Sequence, residues 1–262
     1  IDDLRIYNYV IPDSAIQNLY SENGWPETKY VLPDTLVAYY PFSGNAGDSS
    51  GFENHGEVFG ATLTRDRFGN ENSAYEFDGN NDFIDGGNSE SLRVTGDLTL
   101  SFWFNADSFE GVTSGILTYQ GSNTSGSERN ALYKINFPND NIFNYNHEGG
   151  EGTDNVRRFE NAEFNVDEWY HTVLTRDTTT KELKLYIDGI QVDTAVFDVL
   201  PLGGELSSLR IGENHGTVDL DRFFDGTLDD IRIYNYAIPD SAIQNLYSEN
   251  GWPETKYVLP DT

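Results

Sequence analysis

The chain has 262 residues, 37% of them hydrophobic and 14% aromatic, enough to bury a core and far from a disordered composition. Forty-four acidic residues against 16 basic ones give a net charge of −28, a field that repels nucleic acid and anionic membrane surfaces and leaves cations and neutral ligands as candidate partners. The absence of Cys and Met excludes disulfides and thiolate metal sites, and no apolar stretch approaches the ~20 residues a membrane span needs, so direct membrane insertion is not expected.

The first feature along the chain is a duplication. Residues 1–35 read IDDLRIYNYVIPDSAIQNLYSENGWPETKYVLPDT, and residues 228–262 repeat them with changes only at the first, fourth and tenth positions. The offset of 227 residues is too long for a solenoid unit and fits a whole domain. The repeating unit is therefore expected to begin at Leu36, where LVAYYPF opens a strand after a turn-rich VLPDT. Residues 1–35 are read as the tail of a preceding repeat, holding its last strand, helix and linker; 36–247 as one domain; and 248–262 as the linker to the next. Trp252 and Tyr257 are expected to pack at that junction.

Between 36 and 247, short runs of Val, Ile, Tyr, Phe and Thr alternate with clusters of Gly, Asn, Asp and Ser, the texture of many antiparallel strands. In FDGNNDFIDGG (77–87) the polar centre turns the chain between two strands, with Phe77, Phe83 and Ile84 supplying apolar surface. DLTLSFWFNAD (97–107) alternates Leu98, Leu100, Phe102 and Phe104 with Thr99, Ser101 and Trp103, a strand with one face in a core. EWYHTVLTRD, KELKLYIDG and QVDTAVFD, between 168 and 198, read as a three-strand meander whose Asp188-Gly189 turn needs positive φ. Helix is scarce: IPDSAIQNLYSEN (238–250) has a start signal, Ile243, Leu246 and Tyr247 at helical spacing, and Gly251 as a stop.

Seven segments stand in an order that resembles the laminin G-like, concanavalin A-like family: LVAYYPFSGNAGDSSGFENHGEV (36–58), SAYEFDGNNDFIDGG (73–87), LTLSFWFNAD (98–107), EWYHTVLTRD (168–177), LKLYIDGIQV (183–192), SLRIGEN (208–214) and FDGTLDDIRIYNYAI (224–238). The resemblance covers nearly all of 36–247. It implies an all-β, antiparallel two-sheet jelly-roll sandwich with one short C-terminal helix. It also implies a calcium ion between the GDSSGFENHG loop (47–56) and the acidic pair before the last strand. Carried over, the ligands would be Asp48, Asn54, His55 through its carbonyl, and Asp229. Adjacent strand residues face opposite ways, so Asp229 and Asp230 are not expected to reach one ion together.

No catalytic constellation emerges. Glu182 and Asp188 do not share a strand face, and Glu163, Asp167 and Glu168 sit at a strand mouth where exposed acids are the default. The histidines at 55, 147, 171 and 215 lack metal-site spacing, and no Ser lies in a nucleophile elbow. A non-enzymatic role is the expectation. A binding role has candidates between Thr118 and Phe159, where Tyr119, Arg129, Tyr133, Tyr145, His147, Arg157 and Arg158, with Asn144 and Asn146, mix aromatic planes with amide and guanidinium donors. Sugars demand that mixture, rings for CH faces and fixed polar groups for hydroxyls. Arg157 and Arg158 stand out in an acidic chain as partners for an acidic sugar.

The expected function is a calcium-binding adhesion repeat of a secreted or cell-surface protein that recognises glycans, with a signal upstream of residue 1. A second reading is a stalk or filament subunit joined to adjacent repeats covalently or by donation of the duplicated strand. A third is a carbohydrate-binding module of a larger polysaccharide-degrading enzyme.

Overall fold

A computed structural model describes residues 35–109, 114–120, 131–138, 140–149, 154–201, 208–214 and 222–249. Residues 1–34 of the first copy of the duplicated segment, Arg129, His215, Trp252 and Tyr257 all lie outside these.

The described residues form two antiparallel sheets. The first strands are β1 (Leu36–Tyr40), β2 (Glu57–Phe59), β3 (Thr62–Thr64), β4 (Ala74–Asp78), β5 (Phe83–Gly87) and β6 (Leu98–Ala106). They are followed by β7 (Ser114–Gln120), β8 (Ala131–Phe137), β9 (Ile142–Glu148), β10 (Asp154–Glu163) and β11 (Trp169–Asp177). The last are β12 (Glu182–Ile187), β13 (Ile190–Val196), β14 (Ser208–Ile211) and β15 (Asp225–Tyr234), with helix α1 at Asp240–Ser248. Sheet A runs β13-β12-β11-β6-β15-β4-β3, with β1 also on β15; sheet B runs β10-β9-β8-β7-β14-β5-β2. This is the two-sheet sandwich that the strand texture and the family resemblance predicted. The expected meander is β11-β12-β13, and its turn places Asp188 at φ 51 and Gly189 at φ 75, as a two-residue hairpin of this type requires.

Period-two alternation sends one face of each sheet into a shared core. Leu98, Leu100, Phe102 and Phe104 of β6 meet Leu117 and Tyr119 of β7, Tyr133, Ile135 and Phe137 of β8, and Phe143 and Tyr145 of β9 in one cluster. Phe104, Phe137 and Phe164 are mutual neighbours, with ring centroids 5.1–5.5 Å apart in tilted or edge geometry, the arrangement aromatic quadrupoles favour.

Arg176 of β11 also points into the core and is wholly buried. It donates to the carbonyls of Val94 (2.8 Å), Gly96 (2.8 Å) and Leu132 (3.0 Å) and to the Tyr145 hydroxyl (2.8 Å). One guanidinium thus fastens sheet A to β8 and β9 of sheet B. Its charge is tolerated there because its donors are satisfied.

The outer face of β6 departs from expectation. The alternation reads as a strand with one face in a core, yet Thr99, Ser101 and Trp103 on the opposite face are each at most 1% exposed. Helix α1 covers this face: Tyr247 stacks on Trp103 (5.8 Å, 16°), and Tyr186 donates to Asp240 at 2.7 Å. The apolar stripe Ala242, Ile243 and Leu246 seats the helix.

Strand β15 carries a bulge that explains a second departure. Asp229 pairs with Trp103 and Arg232 with Ser101, so two residues of β15 oppose Phe102. Asp230 at φ 48 absorbs the extra residue and resets the alternation. Leu228 and Ile231 enter the core, while Asp229 and Asp230 both turn to the Arg67 guanidinium on the other face.

Candidate functional site

The outer face of sheet B holds a row of side chains that strand register alone defines. Residues directly opposite each other point to the same side. Glu57 pairs with Asp85, Asp85 with Arg210, Arg210 with Thr118, Thr118 with Lys134, Lys134 with Asn146, and Asn146 with Val156. This line crosses all seven strands on the side away from the core. Beside it, Asn136 pairs with Asn144 and Asn144 with Arg158.

The row is polar, yet its middle is enclosed. Thr118 is 0%, Asn136 3%, Lys134 4% and Asn144 8% exposed. The backbone of Asn214 forms one wall, so close to β7 that a Cβ on Gly115 would lie 2.2 Å from its nitrogen. Within this enclosure Thr118 Oγ1 and the side-chain carbonyls of Asn136, Asn144 and Asn146 make no hydrogen bond. A buried polar atom without a partner costs about 1–3 kcal/mol. Four such acceptors form a polar layer closed to solvent in the middle of this face, while Asp85, Arg210, Asn146 and Arg158 on the same face are open to solvent. The β5 end is aromatic and charged. Phe59 and Phe83 stack at 4.6 Å and 15°, Arg210 lies 4.5 Å over Phe83, and its Nη1 is 3.1 Å from Asp85.

The residues expected to form a sugar site are not all on this face. Tyr119, Tyr133 and Tyr145 are fully buried on the core side, one position out of phase with Thr118, Lys134 and Asn144. Tyr133 donates to the Leu92 carbonyl at 3.0 Å, Tyr145 accepts from Arg176, and burial raises both phenols. His147 is buried as well, with Nε2 2.7 Å from the Val199 carbonyl, and burial pushes it down to about 4. Arg157 donates to the carbonyls of Val196 (2.6 Å) and Val156 (3.0 Å), tying β10 to β13. Arg158 is on the outer face but engaged with Asp140 at 2.6 Å. Arg129 lies outside the described residues. The reading that placed the tyrosine rings against a sugar is corrected: they pack the core. Sequence reasoning missed Thr118, Lys134, Asn136 and Arg210, although the alternation in ALYKINF (131–137) carries the signal.

The expected calcium ligands fall into two separate hydrogen-bonded groups. Asp48 Oδ1 accepts from the backbone of Tyr39 and Ser50, and Oδ2 from Ser50 Oγ and the backbone of Asn54, all at 2.8–2.9 Å. The Asn54 amide donates to Val37 O and Ser91 Oγ, its carbonyl accepts from Tyr40, and His55 Nδ1 accepts from the backbone of Asp48. Asp229 meets Arg67 instead, at 2.5 Å, and Asp230 meets the same guanidinium at 2.7 Å. Burial and then the Asp230 charge push Asp229 upward, and Arg67 opposes them. The expectation that both acids could not reach one cation fails because of the bulge, and the cation they reach is Arg67. Among the described residues no three His or acidic side chains converge as metal ligands. A calcium ion takes six to eight oxygens, and donors already saturated by N–H, O–H and guanidinium groups do not fit one.

Two antiparallel sheets with a polar, acceptor-rich outer face define the class as a concanavalin A-like sandwich. The chain belongs to the concanavalin A-like lectin/glucanases superfamily, whose laminin G-type family model matches residues 78–244. Solved structures show the same fold. The binding domain of Paraclostridial mosquitocidal protein 1 superposes with a TM-score of 0.63 at 20% identity, over 82% of this chain and 52% of its own. Domain 4 of a GH43 extracellular arabinanase from Geobacillus stearothermophilus, solved with arabinotriose, gives 0.60 at 17% identity, over 81% of this chain and 98% of its own. Botulinum neurotoxin type C, whose cell entry depends on interaction with two ganglioside molecules, gives 0.61 at 15% identity, over 84% and 52%. The chain thus spans about half the length of the toxin chains and nearly all of the arabinanase domain. No curated protein sequence matches it.

Proposed function

We propose that this domain is a non-enzymatic glycan-binding module that works outside the cell, and that the ligand lies on the outer face of sheet B. The observation that carries the reading is the polar row across all seven strands of that face, on which Asp85, Arg210, Asn146 and Arg158 are open to solvent. Sugar hydroxyls both donate and accept, and so match carboxylate, amide and guanidinium groups alike. The arabinotriose and ganglioside ligands of similarly folded domains support the same class. The arrangement of Asp85 and Glu57 supports a non-catalytic role: Asp85 is paired to Arg210 and Glu57 is exposed, whereas a glycosidase aims two carboxyl groups at one scissile bond. Attachment to a glycan-coated surface is the physiological outcome of such binding. The test is a glycan array and calorimetry with the full chain. Binding lost in Asn144→Ala and Asn146→Ala, but kept in Arg157→Ala, is the expected result; an array blank for the wild type overturns it.

The duplication favours a second, compatible reading, a repeat of an assembling surface protein. The segment repeated at 1–22 corresponds to β15 and α1, whose residues Leu228, Ile231, Ile233, Ile243 and Leu246 are buried in this domain. The first copy carries an apolar residue at each of those positions, so it requires an equivalent slot. Light scattering of the full chain against a version lacking residues 1–34 tests it. A concentration-dependent assembly that vanishes with the deletion supports it, and monomers in both refute it.

A further inference from the structure

Beyond the sheet B face, we infer a second sugar-binding site on the other sheet: an open cleft beside Arg67, Asp229 and Asp230, in which Phe68 stacks against one uncharged sugar ring.

The cleft has a volume of about 510 Å3, within the ~300–1,000 Å3 of small-molecule sites. The β1–β2 connection contributes Pro41 and Ser43 to its wall, and the β3–β4 turn contributes Asp66, Phe68 and Asn70. The buried Asp229 and Asp230 of β15 complete the lining with Arg67. Phe68 is 39% exposed there.

The turn holds that ring in place. The Gly69 amide donates to the Asp66 carbonyl at 3.0 Å and the Asp66 amide to the Asn70 carbonyl at 3.1 Å. Asp66 Oδ1 accepts from the backbone of Phe68 (2.9 Å) and of Asn70 (2.8 Å), and Gly69 at φ 84 closes the turn at no steric cost. The Arg67 guanidinium packs 4.6 Å from the ring centroid, and Asp229 and Asp230 hold that guanidinium in turn. A ring so tied loses little entropy on binding, and its exposed surface suits the CH face of a pyranose.

The polar groups around the ring are acceptors. Ser43 Oγ donates to the Pro41 carbonyl (3.4 Å) and Ser73 Oγ to the Glu71 carbonyl (3.2 Å), so each hydroxyl keeps its lone pairs for a ligand. Asp66 accepts three hydrogen bonds where a carboxylate has room for about four. Asp66 and Asp230 outnumber Arg67 whichever state Asp229 holds, so the lining is net negative. It therefore takes the O–H donors of a neutral sugar and repels a uronic or sialic acid.

The experiment is ligand-observed NMR titration of the full chain with the neutral methyl glycosides of glucose, galactose and mannose and with the matching methyl uronides. Because neutral sugars are candidates for the sheet B face too, each titration is repeated in the Asn146→Ala chain. At least one neutral glycoside is expected to bind in both chains, more tightly than its uronide. Phe68→Ala should weaken it about three- to tenfold, while Phe68→Trp, which keeps the ring surface, should bind at least as tightly as the wild type. The cleft is overturned if no neutral glycoside binds, if Phe68→Ala binds like the wild type, or if the uronides bind as well as the neutral forms. Binding that disappears in Asn146→Ala and survives Phe68→Ala belongs to sheet B alone and also overturns it.

Discussion

Arg67 and Asp230, 163 residues apart in the chain, meet through Nη2 and Oδ2 at 2.7 Å, with Asp229 on the other arm of the same guanidinium. The site lies where β15 changes neighbours: β4 pairs with residues 225–228 and β1 with 231–234. Trp103 stacks over Arg67 at 4.4 Å and closes the arrangement from the other side. Removing the cation leaves two carboxylates facing each other in a buried place. Arg67→Met is therefore expected to cost about 3–5 kcal/mol in urea unfolding, and adding Asp229→Asn and Asp230→Asn to restore most of it. If Arg67→Met alone unfolds like the wild type, the pair is not the anchor of the bulge.

The same geometry sets an expectation for calcium. Asp48 is saturated by four donors and Asp229 by Arg67, so millimolar calcium and a chelator should give the same melting temperature. A rise with calcium that disappears in Asp48→Asn would show that the loop rearranges to take the ion.

How far the sequence carried these conclusions differs by feature. Strand texture, the Asp188-Gly189 turn and the helix at 240–248 were legible because each rests on local periodicity or backbone need. The phase of the strands around 118–159 was equally available: Tyr119, Tyr133 and Tyr145 belong to the inward set with Leu117, Ile135 and Phe143. Residue chemistry outweighed it, because tyrosine suits a sugar site and a core alike. The joint orientation of Asp229 and Asp230 was not legible, since a bulge depends on cross-strand register and inverts the rule that neighbours face opposite ways. Nor did composition reveal that Arg67 meets a pair of acids so far along the chain.

Tyr145 separates the two uses of tyrosine. Tyr145→Phe keeps the ring in the core and deletes only the hydroxyl that accepts from Arg176. A lost hydrogen bond to a buried charged group costs about 1.5–3 kcal/mol. Glycan affinity is expected to stay at the wild-type value, and a fall to background in a folded Tyr145→Phe protein would return the ring to the ligand site.

Acid stability follows from the buried histidines. Burial, with Arg232 and Arg67 nearby, pushes His171 down to about 3, and burial pushes His147 down to about 4, against an ordinary 6.5. The unfolded chain takes up these protons first as pH falls. The stability due to each neutral imidazole is therefore present above pH 6.5 and lost on acidification, down to pH ~4 for His147 and ~3 for His171. Each contributes about 1.4 kcal/mol per pH unit across its window. His171 lies between Ser101, 3.0 Å from its Nε2, and the rings of Trp103 and Tyr247. His171→Gln should lower stability at pH 7 yet flatten its fall between pH 6.5 and 3; an unchanged slope would place the acid sensitivity elsewhere.

Gly226 and Gly69 separate steric overlap from backbone strain. Both have positive φ, +141 and +84, so an L-residue is strained at either. At Gly69 nothing lies within 4 Å of an added Cβ, and Gly69→Ala should cost only the conformational strain, about 1–2 kcal/mol. At Gly226 the Cβ would sit 2.2 Å from the Asn105 carbonyl oxygen and 2.8 Å from the Ala106 Cα, both backbone atoms of the neighbouring central strand β6. Relief requires β15 to move off β6, breaking the Asp225 carbonyl's bond from the Asp107 amide and loosening the strand that presents Asp229 and Asp230 to Arg67. Gly226→Ala is therefore expected to cost clearly more than Gly69→Ala, about 3 kcal/mol or above in urea unfolding. Equal costs for the two variants would mean that the end of β15 yields freely, and that the sheet is held at the bulge instead.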